Sequence, residues 1–198
     1  MYMFQSIIED FKRLLPKYRK QRRKSELRAW LAQKRRILKV GDVGLCSAEV
    51  VKQIAESDAF RQAATVMIYY PVQNEINLLD LYEQFGQSKR FFMPVTHRKY
   101  LEIRQYTGKD CLQKGKFGIP EPQGSTYHGS LDLIIVPAVG FDKQLYRLGR
   151  GGGYYDRFLA AQRHSVKMGV GYAFQLVDKL PHDKHDIKMD LVITAKSK

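Results

Sequence analysis

Short, nearly continuous apolar segments alternate along this chain with segments whose apolar residues recur at helical spacing. Runs of about four to eight apolar, β-branched and aromatic residues that end at Pro or Gly are typical of strands buried on both faces. Two segments have this form most clearly, residues 65–71 (TVMIYYP) and 131–137 (LDLIIVP). Four further segments predict strands, residues 89–95, 100–106, 165–172 and 188–195.

Helical spacing marks the segments between these strands. Leu27, Leu31 and Leu38 recur at i, i+4 and i+11, which predicts an amphipathic helix over about residues 24–39. Ser47 is a candidate N-cap for a second helix that runs to about residue 57. Helices are also expected over residues 76–85 and 154–162, the latter directly after a cluster of glycines.

The alternation of strands and helices predicts the fold class. Apolar strands separated by helices favour an α/β protein, a three-layer sandwich with a mainly parallel central sheet, Rossmann-like and formed by a single domain. Residues 21–198 are assigned to this domain. Residues 1–20 are treated as an N-terminal appendage, a short separate helix that ends near Pro16.

Composition excludes several classes of protein. Apolar residues make up 44% and charged residues 27%, which is typical of a globular chain rather than a disordered one. The chain has no run of about 18 apolar residues, so no membrane span is predicted. The N-terminal segment carries Glu9 and Asp10 and lacks a long apolar stretch, so it does not resemble a secretory signal. Two cysteines, Cys46 and Cys111, are too few for a disulfide framework and lack metal-ligand spacing. We therefore expect a reducing, cytoplasmic compartment.

The distribution of charge points to an anionic partner. The 198 residues contain 34 Lys and Arg against 20 Asp and Glu, a formal net charge of +14. Residues 12–39 hold thirteen of the basic residues and one acid, Glu26, so the rest of the chain is nearly neutral. Two interpretations stay open for this segment: a solvated basic helix face, or a patch that binds phosphates or carboxylates.

The segment LGRGGGYYDRFL, residues 148–159, carries the clearest chemical pattern. Glycines between a strand and a helix let backbone N–H groups approach an anion, and the helix N-terminus favours negative charge. Arg147 and Arg150 flank the glycines and could bind phosphate oxygens, and Asp156 could hold Mg²⁺. The spacing matches neither a dinucleotide fingerprint, because Tyr154 stands where glycine is needed, nor a Walker A loop. A tight glycine turn without a ligand is the structural alternative.

Several motifs, which follow one another in the same order as in the family, resemble those of the 5-formyltetrahydrofolate cyclo-ligases. Members of this family are also called 5,10-methenyltetrahydrofolate synthetases. The most specific motif is RLGRGGGYYDR at residues 147–157, and the resemblance extends over about residues 24–194. The other motifs are RKSELRAWLAQKRR, YYPVQNEINLLDL, FMPV, FGIPEP, DLIIVP and the C-terminal block from GYAFQLVDKLP to LVIT. Relatives usually carry glycine where this chain has Leu145 and Ala138, and often lysine where it has Gly152.

The resemblance implies specific site residues. It implies an ATP site formed by Lys24, Arg28, Arg147, Leu148, Gly149, Arg150, Gly151, Gly152, Gly153, Tyr154 and Tyr155. It implies a folate site formed by Tyr70, Glu75, Arg150, Gly151, Gly152, Gly153 and Tyr154. Asp156 and Asp190 would hold Mg²⁺, with Asp190 expected in the last strand, near the carboxyl end of the sheet. Arg150 and Asp156 are the candidate catalytic residues. Independently of the resemblance, FGIPEP at residues 117–122 is open to two interpretations, a rigid turn or a pocket wall, and Phe117 and Glu121 are the candidates for the wall.

The implied reaction is the ATP- and Mg²⁺-dependent conversion of 5-formyltetrahydrofolate to 5,10-methenyltetrahydrofolate, with release of ADP and phosphate. Phosphorylation of the formyl oxygen would give an imidate phosphate that N10 attacks, chemistry that needs positioning and charge neutralisation rather than a nucleophilic triad. The expected partners are folate and ATP, without a membrane or a nucleic acid, and a monomer is expected rather than an oligomer.

Two other functions compete with this interpretation. A nucleic-acid-binding protein would use the basic helix, and its affinity would fall steeply with salt. A sugar-phosphate isomerase or CoA-transferase-like enzyme on a similar scaffold would need no ATP.

Overall fold

A six-stranded sheet forms the centre of the molecule. The structure, a computed structural model, describes residues 2–98 and 100–196, and it describes the backbone alone for residues 2–16 and 116. The strands are β1 (Thr65–Met67), β2 (Arg90–Thr96), β3 (Leu101–Tyr106), β4 (Leu112–Lys114), β5 (Pro120–Pro122), β6 (Leu133–Pro137), β7 (Gly140–Asp142), β8 (Arg147–Leu148), β9 (Val166–Tyr172), β10 (Leu176–Val177) and β11 (Leu191–Ala195). The central sheet has the order β11-β9-β6-β1-β2-β3, and all its pairs are parallel except β2 with β3. The mainly parallel sheet expected from the sequence is therefore confirmed.

Helices cover both faces of this sheet. They are α1 (Tyr2–Arg36), α2 (Val40–Glu56), α3 (Asp58–Gln62), α4 (Leu79–Phe85) and α5 (Tyr154–Ala161). On one face, Val66 and Ile135 pack in a cluster with apolar residues of α2, α3 and α4. On the other face, Met67 and Ile134 pack in a second cluster that includes Leu159 of α5. Neighbouring strand residues thus point to opposite layers, which confirms the three-layer α/β arrangement.

The structure corrects two details of the helix assignment. The helix expected to end near Pro16 is not a separate element, because α1 is continuous from Tyr2 to Arg36. Proline removes one backbone donor, and here good helix formers on both sides maintain the helix. Ser47 is not an N-cap, because α2 begins seven residues earlier. Its hydroxyl donates to the Val43 carbonyl (2.7 Å) and accepts from the Asn77 N–H (2.9 Å).

The C-terminal half of α1 docks on a small second sheet of order β10-β7-β8. Leu31 is fully buried there in a cluster with Val139, Leu148 and Leu180, and Leu27 packs at its edge. Gly140 of β7 makes this approach possible, since a Cβ atom at that position would lie 2.6 Å from Leu31 Cδ1. The apolar face of α1 therefore fixes its basic residues relative to β7 and β8. Within the described residues, no helix is both long and apolar enough to cross a membrane.

Leu31→Ala should destabilise the protein because it leaves a cavity between α1 and the small sheet. We expect a loss of about 2–5 kcal/mol in the free energy of unfolding, measured by urea denaturation. Leu45→Ala is the matched control, since Leu45 lies on α2 and is largely exposed, and it should cost much less. Equal losses for the two variants would show that α1 does not depend on this contact.

Candidate functional site

The connections that follow the neighbouring strands β1 and β6 leave toward opposite faces of the sheet. The connection after β1 leads to α4 on one face, whereas the connection after β6 leads to α5 on the other. In open α/β sheets, such a switch point leaves a crevice at the carboxyl ends of the strands, where ligands bind. Glu75, from the segment after β1, and the glycine-rich segment before α5 both reach this crevice.

The glycine-rich segment follows the short hairpin of β7 and β8, which separates it from β6. β7 and β8 pair antiparallel, and Asp142 closes their turn by accepting the N–H groups of Gln144 and Tyr146. Leu145 in this turn has a φ of 69°, a left-handed conformation that glycine adopts more readily than leucine. Gly151 (φ 103°) and Gly153 (φ 65°) then carry the chain into α5 through further left-handed turns.

Two predicted ATP residues of α1 lie against the crevice. The Arg28 Nε donates to the Gly149 carbonyl (2.8 Å) and so fixes the glycine-rich segment on α1. The Lys24 ammonium is buried and contacts the carboxylates of Asp183 (2.8 Å) and Asp186 (3.0 Å). The shared helical face expected from their spacing therefore points toward the site.

Glu75 is the centre of the site. Its side chain is buried, and its Oε1 accepts from the Arg150 guanidinium at 2.7 Å. Arg35 of α1 approaches the same oxygen at 3.5 Å, while Oε2 accepts the Val72 N–H at 3.2 Å. The structure thus joins Glu75 and Arg150, which are 75 residues apart in the sequence.

Asp156, in the first turn of α5, contacts Arg147. The distance from its Oδ1 to the Arg147 guanidinium is 2.8 Å, and the same oxygen accepts the Ile187 N–H at 3.3 Å. Arg147 also donates to the Ile187 carbonyl. Arg147 is almost fully buried, whereas Asp156 stays partly accessible, so this carboxylate can reach a ligand on the glycine-rich segment.

Asp190 does not occupy the position expected for it. It precedes β11 at the amino-terminal end of the strand, and its carboxylate accepts the Lys167 N–H at 2.7 Å. The expectation that it lies near the carboxyl end of the sheet was wrong. Asp190 precedes β11, which runs parallel to β9, so it lies at the amino-terminal end of these strands. In the part of the chain that the structure describes, no contact joins Asp190 to Asp156.

Tyr70 lines a pocket of about 330 Å³ beside the hairpin of β4 and β5. Gly118 and Pro120 of FGIPEP also line it, which supports the pocket-wall interpretation of that motif. Glu121 is instead buried and accepts the Thr96 N–H at 2.9 Å, and Phe117 is an exposed residue at φ 62°. The two candidates thus have different roles: Glu121 anchors the hairpin, and Phe117 forms its tip.

The remaining predicted residues of the glycine-rich segment make different kinds of contact. Leu148 is a core residue of the small sheet, so its side chain contributes packing. Gly152 accepts a hydrogen bond from Arg157 (2.9 Å), and the Tyr154 hydroxyl donates to the Arg98 carbonyl (3.2 Å). Burial, with the nearby negative charge of Glu75, raises the pKa of Tyr155 well above its usual value. The Tyr155 ring packs at the edge of the second cluster, with the Arg147 guanidinium over it.

Three charged residues of this site were not predicted from the sequence. Arg35 is buried beside Glu75, and Asp183 and Asp186 hold Lys24. A signal for Arg35 was present, since Lys24, Arg28 and Arg35 repeat the i, i+4, i+11 spacing of the leucines on α1. No local pattern marks Asp183 and Asp186, which meet Lys24 across about 160 residues of chain.

The residues at the crevice fit Mg²⁺ bound together with a phosphorylated ligand. Among the described residues, no group of three or more His, Cys, Asp or Glu side chains is placed to hold a metal alone. Mg²⁺ is commonly held by one or two carboxylates together with substrate phosphates and water. Asp156 can supply such a carboxylate beside the glycine-rich segment, and the metal role of Asp190 stays a prediction.

Comparisons with known proteins show the family to which this chain is similar. Residues 20–195 match the model of the 5-formyltetrahydrofolate cyclo-ligase family. The chain is 30% identical over 189 residues to the 5-formyltetrahydrofolate cyclo-ligase of Mus musculus, covering 86% of this chain and 92% of the relative. Among solved structures, it resembles the 5,10-methenyltetrahydrofolate synthetases of Aquifex aeolicus (TM-score 0.79, 34% identity, 88% and 90% of the two chains) and Mycoplasma pneumoniae (TM-score 0.70, 28% identity, 87% and 99%).

The ion pairs of Asp183 should make part of the stability depend on pH. Hydrogen bonds from Lys20 and then Lys24 lower the pKa of Asp183 from its usual 3.8 to about 2. Because the folded-state pKa is the lower one, this stabilisation is complete above about pH 4 and is lost as the pH falls toward 2. Asp183 is partly exposed, so Asp183→Asn should cost only about 0.5–1 kcal/mol at pH 7.

Urea unfolding of both proteins at several pH values tests this expectation. The difference between wild type and Asp183→Asn should shrink as the pH falls from 4 to 2. Asp80→Asn, which removes an exposed carboxylate on α4, serves as the control. A difference that stays constant down to pH 2 would contradict the assignment.

Proposed function

The chain belongs to the 5-formyltetrahydrofolate cyclo-ligase family of ligases, and on that premise we propose that it converts 5-formyltetrahydrofolate to 5,10-methenyltetrahydrofolate with consumption of MgATP. One observation carries the proposal for this chain. The Arg150 guanidinium, on the glycine-rich segment expected to hold phosphates, lies 2.7 Å from Glu75, the residue expected to bind the folate. The two substrates would therefore meet at one crevice.

The proposed reaction has two bond-forming steps. The formyl oxygen of the folate attacks the terminal phosphorus of ATP, an O–P bond forms, and the P–O bond to ADP breaks. N10 then attacks the carbon of the resulting imidate phosphate, the C–O bond breaks, and phosphate leaves with its electron pair. Loss of the N10 proton completes the methenyl bridge. The protein's task is to align the reactants and to neutralise charge on the transferring phosphoryl group.

Cations that already point into the crevice suit this task. Lys24 and Arg28 of α1, together with Arg150, would surround the triphosphate. The N–H groups of residues 149–155 would add hydrogen bonds to it. Lys24 and Arg28 are held by other protein groups before any ligand arrives, so little reorganisation is needed when the phosphates bind.

Glu75 and Tyr70 suit the folate. The pterin ring presents an amino group and ring N–H groups, and a buried carboxylate that accepts hydrogen bonds complements these donors. Tyr70 would contribute an apolar surface from the pocket beside β4 and β5. The pocket opens next to the segment that carries Glu75, so one bound molecule could contact both residues.

Asp156 would hold Mg²⁺ together with the phosphates. When bound there, Mg²⁺ would supply charge stabilisation at the transferring phosphoryl group. The Arg147 guanidinium at 2.8 Å and the Ile187 N–H at 3.3 Å hold the Asp156 carboxylate in place. We retain Asp190 as a second proposed ligand because the resemblance implies it, although its carboxylate contacts Lys167 N–H.

The same proposal describes a monomeric, cytoplasmic enzyme whose catalytic domain comprises residues 21–198. The family match begins at residue 20, which supports this boundary even though α1 continues across it.

A spectrophotometric assay tests the proposed reaction. Purified protein with 5-formyltetrahydrofolate and MgATP should form the methenyl chromophore, and omission of ATP should abolish it. Asp156→Asn should lower kcat at least about 100-fold, since a lost metal ligand removes several kcal/mol of charge stabilisation. Asp80→Asn is the control, because Asp80, like Asp156, lies in the first turn of a helix, but that helix (α4) packs on the other face of the sheet. Methenyl product without ATP would reject the mechanism.

Magnesium titration separates the two proposed metal ligands. We expect Asp156→Asn to raise the Mg²⁺ concentration needed for half-maximal activity, because the phosphates then hold the metal with one carboxylate fewer. The same titration of Asp190→Asn tests its assignment, and an unchanged magnesium requirement would remove Asp190 from the metal site.

A further inference from the structure

Two guanidinium groups share one buried carboxylate in the crevice. Arg35 and Arg150 both lie against Glu75 Oε1, at 3.5 Å and 2.7 Å. Their surroundings differ, because the Arg35 side chain is only 5% exposed whereas that of Arg150 is 48% exposed. The Arg35 Nε is buried and has no hydrogen-bond partner in the described structure. The cluster therefore holds one more positive charge than negative, and one donor is unused.

The backbone of Arg35 is held in place by the side chain of Asn74. The Asn74 side-chain amide donates to the carbonyls of Arg35 (3.2 Å) and Leu38 (3.3 Å), which joins the end of α1 to the segment that carries Glu75. Burial lowers the pKa of the Arg35 guanidinium, and the neighbouring Glu75 carboxylate opposes that effect. The Arg28 bond to the Gly149 carbonyl holds the backbone before Arg150. The Arg150 side chain itself is about half exposed, and the chain after it turns through two glycines with positive φ.

We propose that Arg35 is a positioning residue, the permanent counter-ion of Glu75 that allows Arg150 to exchange between Glu75 and the phosphates of the nucleotide. This inference rests on the proposed function. A buried carboxylate that loses its cation is strongly destabilising. With Arg35 in place, Glu75 keeps one cation when Arg150 moves to the phosphates, and the unused Nε can take up part of the contact that Arg150 leaves.

The exchange would couple the two substrates. When donors of the folate engage Glu75, they weaken its hold on Arg150, so each substrate should bind more tightly in the presence of the other. Without Arg35, Glu75 would have Arg150 as its only cation, and the nucleotide would have to compete for that guanidinium.

Calorimetric titration of folate-free protein with MgATP tests the inference, because no turnover occurs without folate. The proteins compared are wild type, Arg35→Met, Glu75→Gln, the double variant, and Arg36→Met. Arg36 is an exposed neighbour on α1 and provides the matched control. We expect Arg35→Met to weaken MgATP binding about tenfold or more, since a tightly held Arg150 must be released. Arg36→Met should change the Kd by less than about threefold.

The double variant distinguishes this role from simple packing. In the Glu75→Gln background no carboxylate retains Arg150, so adding Arg35→Met should change the Kd by less than about threefold. A purely structural Arg35 would weaken binding equally in both backgrounds, and that additive result would overturn the inference.

Arg35→Lys provides a second test if Arg35→Met does not fold. It keeps the charge beside Glu75, so its Kd should stay within about threefold of wild type, and a tenfold loss would overturn the inference. The two proposals also fail in different ways. If wild type does not bind MgATP, the proposed function is wrong, whereas a wild type that binds with an additive cycle rejects only the role of Arg35.

Discussion

The buried carboxylate of Glu75 is the constraint on which the arrangement of the site depends. A charge removed from water needs a cation and hydrogen bonds, and Glu75 takes these from α1, from the glycine-rich segment and from the Val72 N–H. Three stretches of chain that are distant in sequence therefore converge at the two carboxylate oxygens of Glu75. The neighbouring strands β1 and β6 bring them within reach, because their connections leave toward opposite faces of the sheet.

The basic residues of α1 divide between an inward face and a solvated face of the helix. Lys24, Arg28 and Arg35 share one face of α1 and contact groups of the crevice. Other basic residues of the same helix, such as Arg23 and Arg36, lie exposed on the solvated surface. The packing of Leu31 against the small sheet fixes the rotation of the helix about its axis, and so it determines which basic residues face the crevice and which face the solvent. A function in nucleic-acid binding would leave the inward-facing cations without an explanation.

Protein carboxylates already contact several cations of the crevice. Lys24 has Asp183 and Asp186, Arg147 has Asp156, and Arg150 has Glu75. The cations are thereby oriented without a ligand, and an arriving phosphate would join or replace a carboxylate. A site built in this way keeps its positive charges in place and limits their mutual repulsion.

The sequence by itself determined the six strands of the central sheet, most of the helices, the mainly parallel arrangement and the family. Apolar runs and helical spacing report burial directly, and ordered motifs report local backbone shape. Only the tertiary structure decided that Asp190 begins β11 beside Lys167, that Asp183 and Asp186 hold Lys24, and that Arg35 joins Arg150 at Glu75. The physical reason is that these contacts depend on strand order and on the docking of α1, which local periodicity does not encode.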